Sequence, residues 1–384
     1  MTDYKELQTK YEFDVFPKRD VVLVKGKDAT LWDDKGNEYI DCAAGIGVAS
    51  IGHSNPYLAK ALSEQAQTLV TCPGTFYNDT KAKFLEALVN IAPSNFTKAY
   101  LCNSGAEAVE SAIKFARYST KKTDFIATMK GFHGRTLGAL SATFKKEYRE
   151  DFEPLVPGFS FVPFNNFEKM KEAVTDKTAG IIVEVVQGEG GINIADQEFL
   201  QSIDALCKER GIKFIIDEIQ TGFCRTGRFF AHERYDIKPD MMCLAKAIAG
   251  GFPVGAVLIN DSIEIPPSKH GTTYGGNPLA CAAGLASINF MKDNKLDERA
   301  EALGEYFINL LDIENLSKVR EVRHLGLMIG IELKEKVKPY LEELMNRKII
   351  ALPAGTTVIR LLPPLVISEE QLKIVADNLS EILK

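Results

Sequence analysis

Between Asp124 and Ile259 the chain alternates short apolar runs with amphipathic stretches: DFIATM, AGIIVEVV, EFLQSIDALCKERG, KFIIDEI, DMMCLA and GAVLI. Short apolar runs bounded by turn residues make strands buried on both faces, and apolar positions spaced three and four apart make the helices that cover them. This alternation predicts βαβ units and a mostly parallel sheet between helices. Upstream, VVLVKGKDATLWDDKGNEYIDCAAGIGV alternates around DDKG and predicts strands joined by a turn. Helical spacing then dominates from about Asn55 to Arg117, in PYLAKALSEQAQTL and AEAVESAIKFARYST. Near the C-terminus, LDERAEALGEYFINLL, VREVRHLGLMIGIEL and EEQLKIVADNLSEIL suggest helices against a small separate sheet. The pattern divides the chain into a large α/β domain over 51–285 and a smaller α+β domain over 286–384, which the N-terminal segment 1–50 joins.

Composition narrows the partners. A chain of 384 residues, 45% hydrophobic and 26% charged, is an ordinary globular one with material for more than one core. A net charge of −6 gives no reason to expect nucleic acid, although a local basic patch stays open. The opening MTDYKELQTKYEFDVF lacks the apolar centre of a signal peptide, and no apolar run approaches the roughly 20 residues of a membrane helix. Seven cysteines without a CxxC pair argue against a disulfide framework or a zinc site. The expectation is a cytoplasmic protein with no metal and no membrane or nucleic-acid partner.

In open α/β sheets ligands sit outside the carboxyl ends of the strands, and four such ends carry suggestive groups. Ser104, Gly105 and Ala106 open a strongly helical segment, where free N–H groups and the helix dipole suit a phosphate; an ordinary N-cap has the same look. Phe132, His133 and Arg135 stand between two glycines, an aromatic face beside a guanidinium that suits a planar ring and a carboxylate. A lone loop histidine is more often structural. Asp217 and Glu218 close a fully apolar strand, so a carboxylate there needs a cationic partner or caps a helix. Gln220 lies within reach of the same ligand. Lys246 ends the next apolar run, one strand-helix-strand step on. An amine there either snorkels to water or is held neutral as a nucleophile. A phosphate cradle, an aromatic platform, a buried carboxylate and a nucleophilic lysine together describe a pyridoxal phosphate pocket.

NSGAEA, FHGRT, QGEGG, DEIQTGFCRTG, AKAIAGGFPVGA, HGTTYGGNPLA and IRLLPPLVI occur in that order, and from about Trp32 to Pro364 the chain resembles the class III aminotransferases of fold type I. The resemblance implies pyridoxal 5′-phosphate as cofactor, with Lys246 bonded to it and later carrying a proton between the substrate Cα and C4′. It implies that Asp217 pairs with the ring nitrogen, Gln220 reaches the ring hydroxyl, Ile219 and Phe132 sandwich the ring, and Ser104, Gly105 and Ala106 hold the phosphate. Thr273 would reach the phosphate in the neighbouring subunit, making a homodimer part of the active site.

The same resemblance sets Glu189 opposite Arg360 as an ion pair that opens and closes. Closed, it leaves Arg135 to bind the distant carboxylate of an ornithine-like substrate; open, Arg360 takes the α-carboxylate of glutamate and Arg135 its γ-carboxylate. Glutamate-1-semialdehyde aminomutases, similar in fold, lack this glutamate. Ile46 stands where ornithine aminotransferases carry a tyrosine for the free α-amine. An apolar residue there fits a blocked amine, as in acetylornithine aminotransferases or their counterparts whose substrate is attached to the acidic carrier LysW. 4-Aminobutyrate aminotransferases can also have isoleucine at this position. TFKKEYRE, from Thr143, is a candidate strip for such a carrier or a plain solvated face. Val185 replaces the proline usual after Glu184, which is kept only as a pocket residue. A binding protein that lost the chemistry would lack Lys246 or Asp217, and both are present; a Rossmann nucleotide site would need a GxGxxG after its first strand, and none follows.

Overall fold

The computed structural model describes residues 3–384, and in it the predicted alternation becomes a seven-stranded sheet. In spatial order its strands are Lys98–Cys102, Gly255–Ile259, Met241–Leu244, Lys213–Asp217, Thr178–Glu184, Asp124–Thr128 and Phe159–Val162. Every residue of Thr178–Glu184 and Met241–Leu244 is buried, as a sheet covered on both faces requires. Only Gly255–Ile259 runs against its neighbours. Leu244 is joined to Gly255 by a single 3₁₀ turn, Lys246–Ala249, and a glycine-rich bend. That connection is shorter than the dozen or so residues a parallel crossover needs.

Two elements depart from the pattern reading. The edge strand Lys98–Cys102 falls inside the stretch of helical spacing, between the helices Asp79–Asn90 and Gly105–Thr120. Five residues, graded from exposed Lys98 to buried Leu101 and Cys102, show no period of their own. The crossover from Asp217 to Met241 joins parallel neighbours, but as a run of turns with one 3₁₀ helix, Ala231–Arg234. Phe223 and Cys224 take φ of 59° and 70° there, flanked by Gly222 and Gly227, so no α-helix propagates through TGFCRTG.

Two smaller sheets flank this core. Val319–Leu325, Met328–Leu333, Val358–Leu361 and Leu352–Ala354 form one, antiparallel throughout. Leu23–Lys27, Thr30–Asp33 and Glu38–Asp41 form the other, completed by Ile349–Ile350 in parallel with Glu38–Asp41. The helix Glu369–Leu383 begins at a reciprocal cap between Ser368 and Gln371 and buries Leu372, Val375 and Leu379. Arg225 bolts the central sheet to the C-terminal one. Its fully buried guanidinium donates to the carbonyls of Leu327 (3.1 Å) and Pro363 (2.6 Å) and to Ser50 Oγ (3.2 Å). Among the described residues no helix is long and apolar enough to cross a membrane.

Candidate active site

The carboxyl ends of the central strands surround a cavity of about 460 Å³. Its wall includes Ser104, Gly105, Ala106, Phe132, Arg135, Glu184, Glu189, Asp217, Ile219, Gln220 and Lys246, which sequence distance scatters over 143 positions of the chain from Ser104 to Lys246 only because one sheet edge collects them. The helix Gly105–Thr120 starts at this wall. Ser104 caps it, accepting from the Glu107 N–H at 3.2 Å, and the following N–H groups have no partner inside the helix. A Cβ on Gly105 would stand 2.9 Å from Ile219 Cδ1, so glycine is what allows the helix start and Ile219 to approach. The Glu107 carboxylate is tied back to Asn103 N at 2.7 Å.

Asp217 is 4% exposed and accepts from Ile219 N–H at 3.0 Å and from His133 Nδ1 at 2.7 Å. Burial pulls the His133 pKa down, but the hydrogen bond and charge of Asp217, with Glu184, hold it above the usual histidine value. His133 is therefore the inner support of Asp217. Sequence reasoning passed over it as a structural loop histidine; its one signal was its place beside Phe132 in the same short motif. Glu184 accepts from Phe132 N–H at 3.0 Å, and burial pushes its carboxyl up to about 7. Val185 is wholly buried after the strand, and its carbonyl accepts from Ala195 N–H. Glu218, by contrast, faces away from the cavity, with its carboxylate accepting from the N–H groups of Ala231 and His232.

Lys246 enters at φ 49°, an uncommon conformation for a side-chain-bearing residue. Desolvation lowers its pKa, against the pull of Glu189, Asp217 and Glu184, with Arg360 adding to the lowering. An amine of reduced basicity is the form that attacks carbonyls. Behind the wall, Arg360 Nη1 donates to Glu189 Oε1 at 2.6 Å and to Gln220 Oε1 at 3.2 Å. Burial alone would raise the Glu189 pKa, but the charge and hydrogen bond of Arg360 win and lower it. The pair is closed.

Besides Arg360, two expected residues lie off this wall in the single chain. Ile46 sits at φ 69° in the left-handed turn Ala44–Gly47 and is half exposed, while Val48, two residues on, lines the cavity. Thr273 is exposed; its neighbour Thr272 accepts from Asn103 Nδ2 at 3.2 Å. Tyr148, which the motifs did not single out, stacks against Arg135 with the guanidinium carbon 3.4 Å from its ring centroid.

The sequence profile of the family described as aminotransferase class-III matches residues 15–383. The chain belongs to the class III aminotransferases. A Deinococcus radiodurans protein named LysW-aminoadipate semialdehyde transaminase is 47% identical over 370 residues, 95% of this chain and 86% of that protein. The acetylornithine aminotransferase of Methanopyrus kandleri is 44% identical over 386 residues, 100% of this chain and 99% of that one. The solved ornithine aminotransferase of Toxoplasma gondii ME49 has a TM-score of 0.94 at 32% identity, covering 99% of this chain and 94% of its own. These matches establish fold type I and transamination, and class III aminotransferases use pyridoxal phosphate. The donor set of this aminotransferase fits that molecule. An anion-accepting helix start, a buried carboxylate braced by His133 and a lysine of lowered basicity converge on one cavity, and they suit a phosphate, a ring nitrogen and an aldehyde respectively.

Proposed function

We propose that this aminotransferase moves the terminal amino group of an N2-blocked ornithine, N2-acetylornithine, to 2-oxoglutarate in arginine or lysine biosynthesis in the cytoplasm. The observation that carries the reading is the closed Glu189–Arg360 pair beside Lys246. An enzyme that accepts an ω-amine in one half-reaction and glutamate in the other has to hide a cation near the reacting centre and then offer it. With the pair closed, Arg135 takes the far carboxylate of the blocked ornithine. With it open, Arg360 takes the α-carboxylate of glutamate and Arg135 the γ-carboxylate.

Bound pyridoxal phosphate supplies an electron sink that acidifies the C–H bond next to the transferred amine. Ser104, Gly105 and Ala106 hold its phosphate, Asp217 its ring nitrogen, Gln220 its hydroxyl, and Phe132 and Ile219 its two faces. The Lys246 amine would condense with its aldehyde, releasing water, and would carry the proton at the substrate carbon. Glu184 keeps the Phe132 backbone in place. Thr273, exposed in one chain, reaches the phosphate in a partner, so the working unit is a homodimer with shared sites. Exposed Tyr11, Phe13, Phe16, Phe76, Tyr77 and Tyr274 give a second copy apolar surface to cover. Segments 1–50 and 286–384 form the small domain around 51–285, a grouping favoured by the pairing of Ile349–Ile350 with Glu38–Asp41.

An apolar Ile46, two positions from the cavity-lining Val48, fits a blocked α-amine better than free ornithine, whose ammonium would lack a partner there. A second reading, an amine linked to the LysW carrier, is favoured by an adjoining cavity of about 630 Å³ that shares Phe132 and Glu189 with the first. Lys130, Lys145, Lys146 and Arg323 line it beside Glu147, Glu189 and Glu332, giving a roomy approach with four basic groups against three acidic ones. Mixing the cofactor-loaded enzyme in turn with glutamate, N2-acetylornithine, ornithine, 4-aminobutyrate and LysW-linked ornithine or lysine separates these readings by the loss of visible absorbance. Fast loss with acetylornithine and glutamate alone supports the first. Fast loss with carrier-linked amines and none with acetylornithine selects the second. A chain that takes up no cofactor sinks both.

A further inference from the structure

Arg135 lines the inner cavity, yet among the described residues no carboxylate pairs with it and no side chain hydrogen-bonds it. What holds it is an aromatic corner. The guanidinium carbon lies 3.4 Å from the Tyr148 ring centroid and 5.6 Å from that of Phe132, and the two rings meet edge to face at 6.3 Å and 88°. At 3.4 Å the guanidinium is in van der Waals contact with the ring face. The Lys145 ammonium shares the same ring at 4.6 Å. Tyr148 ends the 3₁₀ turn Lys146–Tyr148, and that segment is anchored to the Phe132 loop by the Phe144 N–H on the Gly131 carbonyl at 3.0 Å. Phe132 lines both cavities, Arg135 the inner one and Tyr148 the outer one. The stacked pair is therefore the boundary between them.

We propose that Tyr148 is a positioning residue for carboxylate recognition, parking the Arg135 guanidinium on its ring so that the N–H donors stay free for the substrate. The chemistry favours a ring over an acid in this role. A carboxylate partner would occupy the guanidinium fork and have to be displaced in every half-reaction, whereas a π face attracts the cation without accepting its in-plane N–H groups. The proposal rests on Arg135 binding the substrate's carboxylate.

The test compares Tyr148→Leu, Tyr148→Phe and Arg135→Met as cofactor-loaded enzymes, measuring KM and kcat with N2-acetylornithine and with glutamate, and inhibition by glutarate, a dicarboxylate without an amine. Arg135 is exposed and Tyr148 half-buried in the single chain, and a cation–π contact in that setting predicts that Tyr148→Leu raises both KM values and the glutarate inhibition constant about three- to tenfold, with kcat within about twofold. Tyr148→Phe keeps the ring and stays within about twofold of the parent on all three. Should leucine disturb folding, Tyr148→Gln removes the aromatic face with a planar group and is read the same way. Unchanged KM in Tyr148→Leu, or equal damage in Tyr148→Phe, or a fall in kcat alone overturns the proposal. If Arg135→Met itself leaves KM and glutarate inhibition unchanged, the underlying reading of Arg135 fails; if it raises them and Tyr148→Leu does not, only the role of Tyr148 fails.

Discussion

Replacing Glu189 by glutamine keeps the shape and one hydrogen-bond acceptor but removes the negative charge that holds Arg360. Arg360 is 3% exposed, and among the described residues Glu189 is its only carboxylate partner; Gln220 Oε1 at 3.2 Å remains, and Nε has no partner. Breaking one side of a fully buried ion pair costs about 3–5 kcal/mol. Glu189 is 30% exposed, so water already screens part of the attraction, which brings the loss for the closed state to about 1–3 kcal/mol. In populations that is roughly five- to hundredfold toward the open state. On the proposed switch, only the blocked ornithine needs the closed state. Single-turnover stopped flow on the visible absorbance therefore shows, in Glu189→Gln, a loss of about five- to hundredfold in kcat/KM for N2-acetylornithine and less than about threefold for glutamate. Equal losses in both half-reactions, or none with acetylornithine, would refute the switch.

Lys246→Ala abolishes turnover and leaves any retained cofactor noncovalent, as mass spectrometry of the intact chain checks; measurable steady-state turnover would count against the role. Gly105→Ala drives a Cβ to within 2.9 Å of Ile219, so the helix start and Ile219 move apart and the affinity for pyridoxal phosphate falls about tenfold; unchanged affinity contradicts the cradle. The Glu184 carboxyl, at about 7 in the folded chain against 4.5 ordinarily, makes the native state bind more protons between those values. Stability thus falls as pH rises from about 4.5 to 7, by at most ~3 kcal/mol, and levels off above. Urea unfolding of the cofactor-free protein at pH 5 and 8 shows a larger drop for the parent than for Glu184→Gln, and identical drops would mean that this carboxyl is not the source. Ile46→Tyr shifts the ratio of activities toward free ornithine over N2-acetylornithine; a constant ratio places the discrimination at another residue.

The segments that announced themselves are continuously apolar or strongly periodic: Thr178–Glu184 and Met241–Leu244 read as strands buried on both faces, and Gly105–Thr120 as a helix with its start signal. Lys246 was conspicuous because a lysine at the end of an apolar run is costly to bury. Short or irregular pieces were illegible for the opposite reason. Lys98–Cys102 is an edge strand whose alternation is lost among neighbouring helices, and the turns after Asp217 owe their shape to positive φ at Phe223 and Cys224, residues with no special preference for it. The contacts that complete the site are non-local. His133 meets Asp217 across 84 positions of sequence, and Arg225 meets Pro363 across 138, so each residue looks ordinary in its own neighbourhood. Ile46 and Thr273 lie off the cavity wall of one chain, Ile46 because its left-handed turn hands the wall position to Val48.

The central claim concerns where one nitrogen atom goes. N2-acetylornithine labelled with ¹⁵N on its terminal amine, incubated with the cofactor-loaded enzyme and 2-oxoglutarate, should give ¹⁵N-glutamate and the acetylated semialdehyde in equal amounts. Unlabelled glutamate pools and intact acetylornithine, under conditions where the enzyme visibly reacts with glutamate, would contradict the assignment.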